Sequence, residues 1–261
     1  MEYSTLIVEA SGTLGRITLN RPECLNAINV TMLRELETAA RWLDTQPDLR
    51  VVIVSGEGRA FTAGADLRDS VAQRASADSG RAWLERRKEG YLGSRMAEAI
   101  ENMQATTIVQ LHGHVIGGGV VLASVCDFRI AAEGTRFAIP EIDLGIPLTW
   151  GAIPRLIRDI GPVRTKELVM TCRPFDAQEA KEIGFINRVV PENVLAETVQ
   201  ELATTLAEKP SVPIALTKAH VNAVAGSPSA YADGDLLLAS AADPEAQAAA
   251  MAYAEKTFKK K

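Results

Sequence analysis

A triplet of adjacent glycines, Gly117 to Gly119, constrains the fold of this chain more than any other feature. An apolar run from Ile108 to Leu111 precedes the triplet, and a second apolar run, typical of a helix, continues to Val125. Glycine is favoured where the backbone needs a positive φ or where another group comes very close to the main chain. The pattern therefore predicts a strand, a turn and a helix start whose free N–H groups face a ligand. A tight turn without a ligand is the alternative.

Composition and charge exclude several function classes. The chain has 261 residues, of which 47% are hydrophobic and 23% charged, as in a globular protein with one large core. Its net charge of −5, with a basic cluster only at Lys259 to Lys261, predicts no nucleic-acid partner. Three widely separated cysteines and no metal-binding motif predict neither disulfides nor a metal site. Without a signal-like start or a long apolar run, we expect a cytoplasmic protein with no membrane partner.

Hydrophobic periodicity in the first third of the chain predicts a layered α/β fold. Residues 6–9 and 16–19 read as the strands of a hairpin, residues 30–43 as an amphipathic helix and residues 51–54 as a buried strand. Strand, helix and strand in this order predict a right-handed crossover between parallel strands. The charged, alanine-rich stretch over residues 68–90 reads as a mobile loop or a loosely held helix near the ligand.

The rest of the chain continues with short strands and then becomes helical. The predicted helices cover residues 91–103, 153–160 and 163–170, and the predicted strands residues 127–131 and 185–190. Pro140 and Pro147 exclude a continuous helix over residues 137–148, and Asp176 predicts the start of a helix that ends at Gly184. Beyond Pro191 we predict helices over residues 194–206, 213–225, 230–242 and 244–256. The expected division is a core over residues 1–190 and a helical region over 191–261.

Two segments resemble the signature motifs of the enoyl-CoA hydratase/isomerase (crotonase) family. They are RAFTAGADL over residues 59–67 and HGHVIGGGVVLA over residues 112–123. The resemblance continues in the family's order through residues 19–22, 26–28, 140–142, 144–145 and 180–184, and so covers nearly the whole chain. It implies a repeated ββα spiral core with a helical C-terminal region. Family members assemble as trimers or dimers of trimers, and the alanine-rich face at Ala246, Ala249 and Ala250 would suit that assembly.

The resemblance also implies a substrate and a set of site residues. Family members bind acyl-CoA thioesters and hold an enolate-like oxygen with two backbone N–H groups, which by position belong here to Ala65 and Gly118. Removing one such donor typically costs about 2.7–4 kcal/mol of barrier. The contacts of the family with coenzyme A map onto the following residues, mostly through backbone atoms: Leu25, Ala27, Ala63, Asp66 and Leu67. Asp66 could also be a helix N-cap. Apart from the coenzyme A of the substrate, we expect no cofactor.

The acidic residues bear on which reaction is catalysed. Family hydratases use one glutamate two residues after the glycine triplet and another in a Pro-Glu-Ile segment; here these positions hold Val121 and Glu141. Apolar neighbours should raise the pKa of Glu141, unless it is a solvated loop acid. A single acid can move a proton along an enolate, whereas hydration normally needs a second group. The sequence therefore favours isomerisation; hydration with a substitute group and a non-catalytic acyl-CoA-binding module are the alternatives.

Some neighbouring residues depart from the family pattern. Family branches with an aspartate eight residues after the glutamate have Thr149 at that position here, and Asp143 should point away from Glu141 on an extended segment. Gly117 and Trp150 are candidate substrate contacts, with Trp150 at the acyl end or in the core. His112 replaces the usual asparagine and His114 follows it; each is either a turn residue or a polar group near the acyl site.

Overall fold

The computed structural model describes residues 2–68, 83–225 and 242–258. The strands are β1 (Leu6–Ser11), β2 (Leu14–Leu19), β3 (Val51–Gly56), β4 (Thr106–Leu111), β5 (His114–Ile116), β6 (Phe128–Ala132), β7 (Arg136–Ala138), β8 (Phe175–Asp176) and β9 (Arg188–Val190). The α-helices are α1 (Val30–Asp44), α2 (Trp83–Gly90), α3 (Leu92–Glu101), α4 (Gly118–Ser124), α5 (Ala152–Thr171), α6 (Ala177–Glu182), α7 (Leu195–Ala207), α8 (Ser211–Val224) and α9 (Pro244–Phe258). No helix in these ranges is both long and apolar enough to cross a membrane.

The larger sheet has the strand order β1-β2-β3-β4-β6-β9, and its pairs are parallel except for the β1–β2 hairpin. Its central strands are apolar on both faces because both faces are covered. In β3, Val52 and Val54 belong to the main core, whereas Val51 and Ile53 pack with residues of α7. The predicted hairpin, helix and parallel crossover in the first 56 residues are therefore confirmed.

A smaller sheet, with the order β5-β7-β8, reveals the repeat in the chain. A strand in the large sheet, a strand in the small sheet and a helix follow one another twice, as β4-β5-α4 and β6-β7-α5. After β3, Thr62 forms an isolated parallel β-bridge with Val115 of β5, which extends the small sheet by one residue at that edge. Gly113 (φ 59°) makes one of the sharp turns between the sheets, where a Cβ atom would lie 2.1 Å from the Arg59 carbonyl oxygen. This architecture confirms the ββα spiral core.

Local signals place several helix ends as predicted. The Asn29 side chain accepts a hydrogen bond from the Met32 amide at the start of α1, and Asp176 does the same for the Glu179 amide at the start of α6. Gly161 breaks α5 with a non-helical conformation (φ 77°, ψ 164°) just before Pro162, so that the two helices predicted on either side of it are present.

The strands of the structure differ from the prediction in two places. The strand expected over residues 185–190 is only Arg188–Val190, because the amides of Phe185 and Ile186 both donate to the Ala180 carbonyl at the end of α6. The short strands β5, β7 and β8 were not predicted. Within the 68–90 stretch, residues 83–90 form α2, while residues 69–82 lie outside the described ranges, as does most of the helix expected over residues 230–242. The division at residue 190 stays a prediction; α7, beyond it, packs on the large sheet.

Candidate active site

The segment that follows β3 lies between two other parts of the chain. On one side, the Ala63 amide donates to the Leu25 carbonyl (2.8 Å) and the Asp66 amide to the Ile28 carbonyl (2.9 Å). On the other side, the Thr62 amide donates to the His114 carbonyl (3.0 Å). The residues predicted to contact coenzyme A therefore come from two segments that are hydrogen-bonded to each other.

The two predicted oxyanion donors occupy neighbouring positions on parallel segments. Thr62 pairs in parallel with Val115, and three residues further along each segment stand Ala65 and Gly118. Gly64 (φ 87°) allows the segments to approach closely, since a Cβ atom there would lie 2.8 Å from the Ile116 carbonyl oxygen. Across the described ranges, neither the Ala65 N–H nor the Gly118 N–H donates to another residue. Both groups are therefore available; their convergence on one point stays a prediction.

Each glycine of the triplet makes room for a different side chain. A Cβ atom at Gly117 (φ 49°) would lie 2.3 Å from Glu141 Oε1, and one at Gly118 would lie 2.4 Å from Trp150 Cζ3. A Cβ atom at Gly119 would lie 2.4 Å from Thr62 Cγ2. Real Cβ atoms do not come so close to other atoms, so any side chain here would displace its neighbour. The positive φ of a turn explains why residue 117 is glycine. Close packing of neighbouring side chains explains all three glycines.

Glu141 lies buried against the glycine turn. Its accessible fraction is 9%, and Oε2 is buried without a hydrogen-bond partner among the described residues. Loss of solvation raises the pKa of the Glu141 carboxyl to about 7. The alternative of a solvated loop acid is therefore wrong. A carboxyl group with a pKa near neutrality and a free oxygen can both accept and return a proton under physiological conditions.

Val121 occupies the position of the missing first acid and is 1% exposed. Its amide donates to the Gly117 carbonyl (3.2 Å), so Val121 ends the helical turn that begins at Gly117, the residue against which the Glu141 carboxyl packs. Its neighbours Val120 and Leu122 are also buried. The helix therefore brings apolar surface, and no second carboxylate, to this side of the site.

The segment around Glu141 was predicted to be extended, but in the structure it forms consecutive turns. The Leu144 amide donates to the Pro140 carbonyl (3.1 Å) and the Ile146 amide to the Glu141 carbonyl (3.0 Å). Because prolines and glycine surround this segment, the chain closes turns instead of pairing as a strand. Asp143 is exposed while Glu141 is buried, so the two carboxylates still face different surroundings, as expected.

Trp150 lies across the glycine turn with its backbone in the left-handed region (φ 61°). Arg155 donates hydrogen bonds to the carbonyl oxygens of Trp150 (3.2 Å) and Gly151 (2.9 Å). Arg155 is itself fully buried and paired with Glu101 at 2.6 Å. Sequence reasoning missed this ion pair, since its partners stand 54 residues apart and no local pattern links them.

The chain is similar in sequence to known proteins over most of its length. The sequence model of the enoyl-CoA hydratase/isomerase family matches residues 9–260. The chain belongs to this family of acyl-CoA enzymes. It is 37% identical over 224 residues to a crotonyl-CoA hydratase of Syntrophomonas wolfei, covering 85% of this chain and 83% of that protein. It is 33% identical over 223 residues to a short-chain-enoyl-CoA hydratase of Clostridium acetobutylicum, with 85% and 82% covered.

Solved structures of the family share the fold. An enoyl-CoA hydratase of Bacillus anthracis superposes with a TM-score of 0.76 at 30% identity, covering 97% of each chain. An enoyl-CoA hydratase of Mycobacterium avium subsp. paratuberculosis gives a TM-score of 0.86 at 23% identity, covering 98% of this chain and 97% of that one. The crotonase-like fold inferred from the motifs is therefore confirmed.

Two further polar site candidates, Asp66 and His112, make contacts with other parts of the chain. Asp66 forms an ion pair with Arg21 (3.0 Å) and accepts from the Arg68 amide (3.2 Å), the latter bond being typical of an N-cap. His112 Nε2 lies 2.9 Å from the Gly58 carbonyl oxygen, whereas its buried Nδ1 lacks a partner within the described part of the chain. His114 is exposed on β5. For both histidines, the choice between a turn residue and a polar group near the acyl site stays a prediction.

A cavity of about 540 Å³ opens at the opposite, C-terminal end of α4, between that end and α8. None of the predicted site residues lines it. Two ion pairs line it, Arg129 with Asp159 and Lys218 with Asp127. Glu141 is the better candidate for chemistry because it combines burial, an unpartnered oxygen and a shifted pKa beside free N–H groups. Among the described residues, no cluster of histidines, cysteines and acids could hold a metal ion.

Proposed function

We propose that this protein stabilises the enolate of an enoyl-CoA thioester with the N–H groups of Ala65 and Gly118 and moves a proton with Glu141. Isomerisation of the double bond is favoured over hydration. The observation that carries the proposal is the contact between the buried Glu141 carboxyl and Gly117, the residue that precedes the Gly118 donor. This contact supports a proton acceptor that lies beside the proposed oxyanion donor.

The chemistry follows from these two groups. With the thioester oxygen held by two N–H groups, the Glu141 carboxylate removes a proton from C2 of a 3-enoyl-CoA, and the negative charge spreads onto the oxygen. The N–H groups and the start of α4 stabilise this charge in a site from which water is largely excluded. Protonated Glu141 then returns the proton to C4, which leaves the double bond between C2 and C3. One acid completes this cycle without a second group.

Val121 supports isomerisation over hydration, because a buried valine can neither activate water nor protonate carbon. The names of the relatives, crotonyl-CoA hydratase and short-chain-enoyl-CoA hydratase, support the alternative in which Glu141 hydrates with a substitute group. A non-catalytic acyl-CoA-binding module is the third possibility. We further propose that the enzyme needs no metal or nicotinamide and works in the cytoplasm as a homotrimer or a dimer of trimers.

The test is an assay of the purified protein against 3-enoyl-CoA and 2-enoyl-CoA. We expect faster isomerisation than hydration, and Glu141→Gln should lower both rates by about 10²-fold or more. Asp143→Asn, which changes an exposed acid two residues away, serves as the matched control and should retain activity. Hydration that persists in Glu141→Gln would contradict the proposal.

Val121→Glu extends the same assay. The new carboxylate would stand at the end of the helical turn that begins at Gly117 and could supply the missing group, so hydration should rise relative to isomerisation. Val121→Gln has a similar size without the charge and separates the acid from the effect of disturbed packing. An equal ratio of the two activities in wild type and Val121→Glu would show that the missing acid does not decide the reaction.

A further inference from the structure

We propose that Trp150 is a specificity-determining residue that closes the acyl site beside Gly118 and restricts the enzyme to short acyl chains. This inference rests on the proposed function, because it takes the Gly118 N–H as the place where the thioester oxygen is bound.

The indole ring spans the space between two helices. At one edge, Cζ3 and Cη2 would lie 2.4 and 2.8 Å from a Cβ atom at Gly118. At the other edge, Cγ, Cδ1 and Nε1 would each lie 2.2 Å from a Cβ atom at Gly93 in α3. The ring therefore packs directly on two bare Cα atoms. It is still only half-buried, so part of its surface borders open space.

The ring is held in this place by the backbone beneath it. Trp150 has a φ of 61°, a conformation that few side chains other than glycine adopt without cost. The bonds from Arg155 to the carbonyls of Trp150 and Gly151 fix the turn. Glu101 holds Arg155 through both carboxylate oxygens, at 3.2 Å to Nε and 2.6 Å to Nη2. A buried ion pair thus fixes the position of the ring, which makes it a wall and not a movable lid.

The position of this wall limits the acyl chain. A thioester oxygen bound by the Gly118 N–H lies about 3 Å from that nitrogen, so the first acyl carbons must lie beside the same residue. Trp150 already contacts Gly118 and closes the gap to Gly93. A short acyl group fits before the ring, whereas a long chain would have to displace an aromatic side chain that is packed on both edges.

The experiment compares the binding of butanoyl-CoA and dodecanoyl-CoA by calorimetry. These saturated thioesters cannot isomerise, so the result does not depend on turnover. The variant is Trp150→Gly, since glycine accepts the left-handed backbone of this position. The control is Trp42→Ala, which removes another half-buried tryptophan that packs on the same core but lies on α1. Trp150→Phe provides a second, milder variant.

We expect the wild type and Trp42→Ala to prefer butanoyl-CoA. In Trp150→Gly the preference should shift towards dodecanoyl-CoA by at least about tenfold, and in Trp150→Phe by less, in the same direction. An unchanged ratio in a folded Trp150→Gly or Trp150→Phe protein would overturn the role of Trp150. The wild type could also lack enoyl-CoA turnover while the binding preference still shifts in Trp150→Gly as expected. That result would support the role of Trp150 and refute the proposed reaction. Failure of the wild type to bind either thioester would overturn both.

Discussion

At the scale of single residues, the environment of Glu141 sets the chemistry. Its carboxyl is buried beside Gly117, and one oxygen lacks a hydrogen-bond partner among the described residues. Burial without a compensating cation disfavours the charged form, which is why the pKa rises to about 7 instead of falling. The Glu141 carboxyl can therefore exchange a proton near neutral pH. The same burial lowers the stability of the folded protein at neutral pH, because the unfolded chain solvates the ionised carboxylate better.

This cost predicts a pH-dependent difference in stability between wild type and Glu141→Gln. A carboxyl group with a raised pKa stays protonated in the folded state while it ionises in the unfolded chain. Its stabilising contribution is complete below the unfolded pKa, near 4.5, and is lost as the pH rises towards about 7. Glutamine does not titrate, so the free energy of unfolding of Glu141→Gln should gain roughly 2–3 kcal/mol relative to wild type between pH 5 and pH 8. Urea denaturation at both pH values measures this difference.

The control for this prediction is Asp143→Asn, which alters an exposed acid in the same turn. Its stability difference from wild type should change little between the two pH values. If the free energy of unfolding of Glu141→Gln also differed from that of wild type by the same amount at both pH values, Glu141 would not be buried in its neutral form.

At the scale of elements, three segments that are far apart in sequence build the backbone part of the site, against which Glu141 and Trp150 pack. The loop at residues 25–28, the segment at 62–66 and β5 with the start of α4 are joined by main-chain hydrogen bonds. Because these bonds use other amides, the N–H groups of Ala65 and Gly118 are left without partners in the described part of the protein. Backbone donors held by neighbouring segments need no reorganisation when charge develops on a substrate, and this is the condition for strong electrostatic catalysis.

Ala65→Pro tests this arrangement by deleting one proposed donor. The bridge between Ile28 and Ala65 uses the amides of Ile28 and Asp66, so the substitution removes no hydrogen bond found within the described ranges. We expect kcat to fall by about 10²–10³-fold while the Kd for a saturated acyl-CoA changes much less. Ala65→Gly keeps the N–H group and is the matched control. Full turnover by a folded Ala65→Pro protein would rule out Ala65 as an oxyanion donor.

At the scale of the whole molecule, α8 leaves much apolar surface uncovered by the rest of its own chain. None of its residues is buried, and Val212, Leu216 and Val224 are 65%, 64% and 76% exposed. Apolar surface of this kind on a folded protomer favours association, because its burial removes hydrocarbon from water. The proposed trimer or dimer of trimers would provide that burial.

Light scattering coupled to size exclusion should therefore give three or six times the mass of one chain. Leu216→Glu, which places a charge on the exposed face of α8, should shift the population towards smaller species. A monomeric wild type at micromolar concentration would contradict the proposed assembly.

The general architecture and the identity of the chemical groups could be predicted from the sequence. The spacing of the two signature segments, the apolar strands and the helix caps at Asn29 and Asp176 are local patterns, and each marks a local choice of the backbone. The presence of Glu141 and the absence of an acid at Val121 were likewise readable, because residue identity does not depend on folding. The turns after Glu141 and the late start of the strand predicted over residues 185–190 were misread, since alternative hydrogen bonds compete there over only a few residues.

The surroundings of those groups could not be predicted, because they depend on the packing of distant segments. Three glycines in a row do not say which side chains fill the space above them, yet Glu141, Trp150 and Thr62 each take one place. The buried pair of Arg155 with Glu101, which fixes the turn under Trp150, joins residues too far apart for any local pattern to connect. Contacts between distant segments determine the burial and the pKa of Glu141 and the position of the Trp150 ring. Such contacts exist only once the sheets and helices have packed.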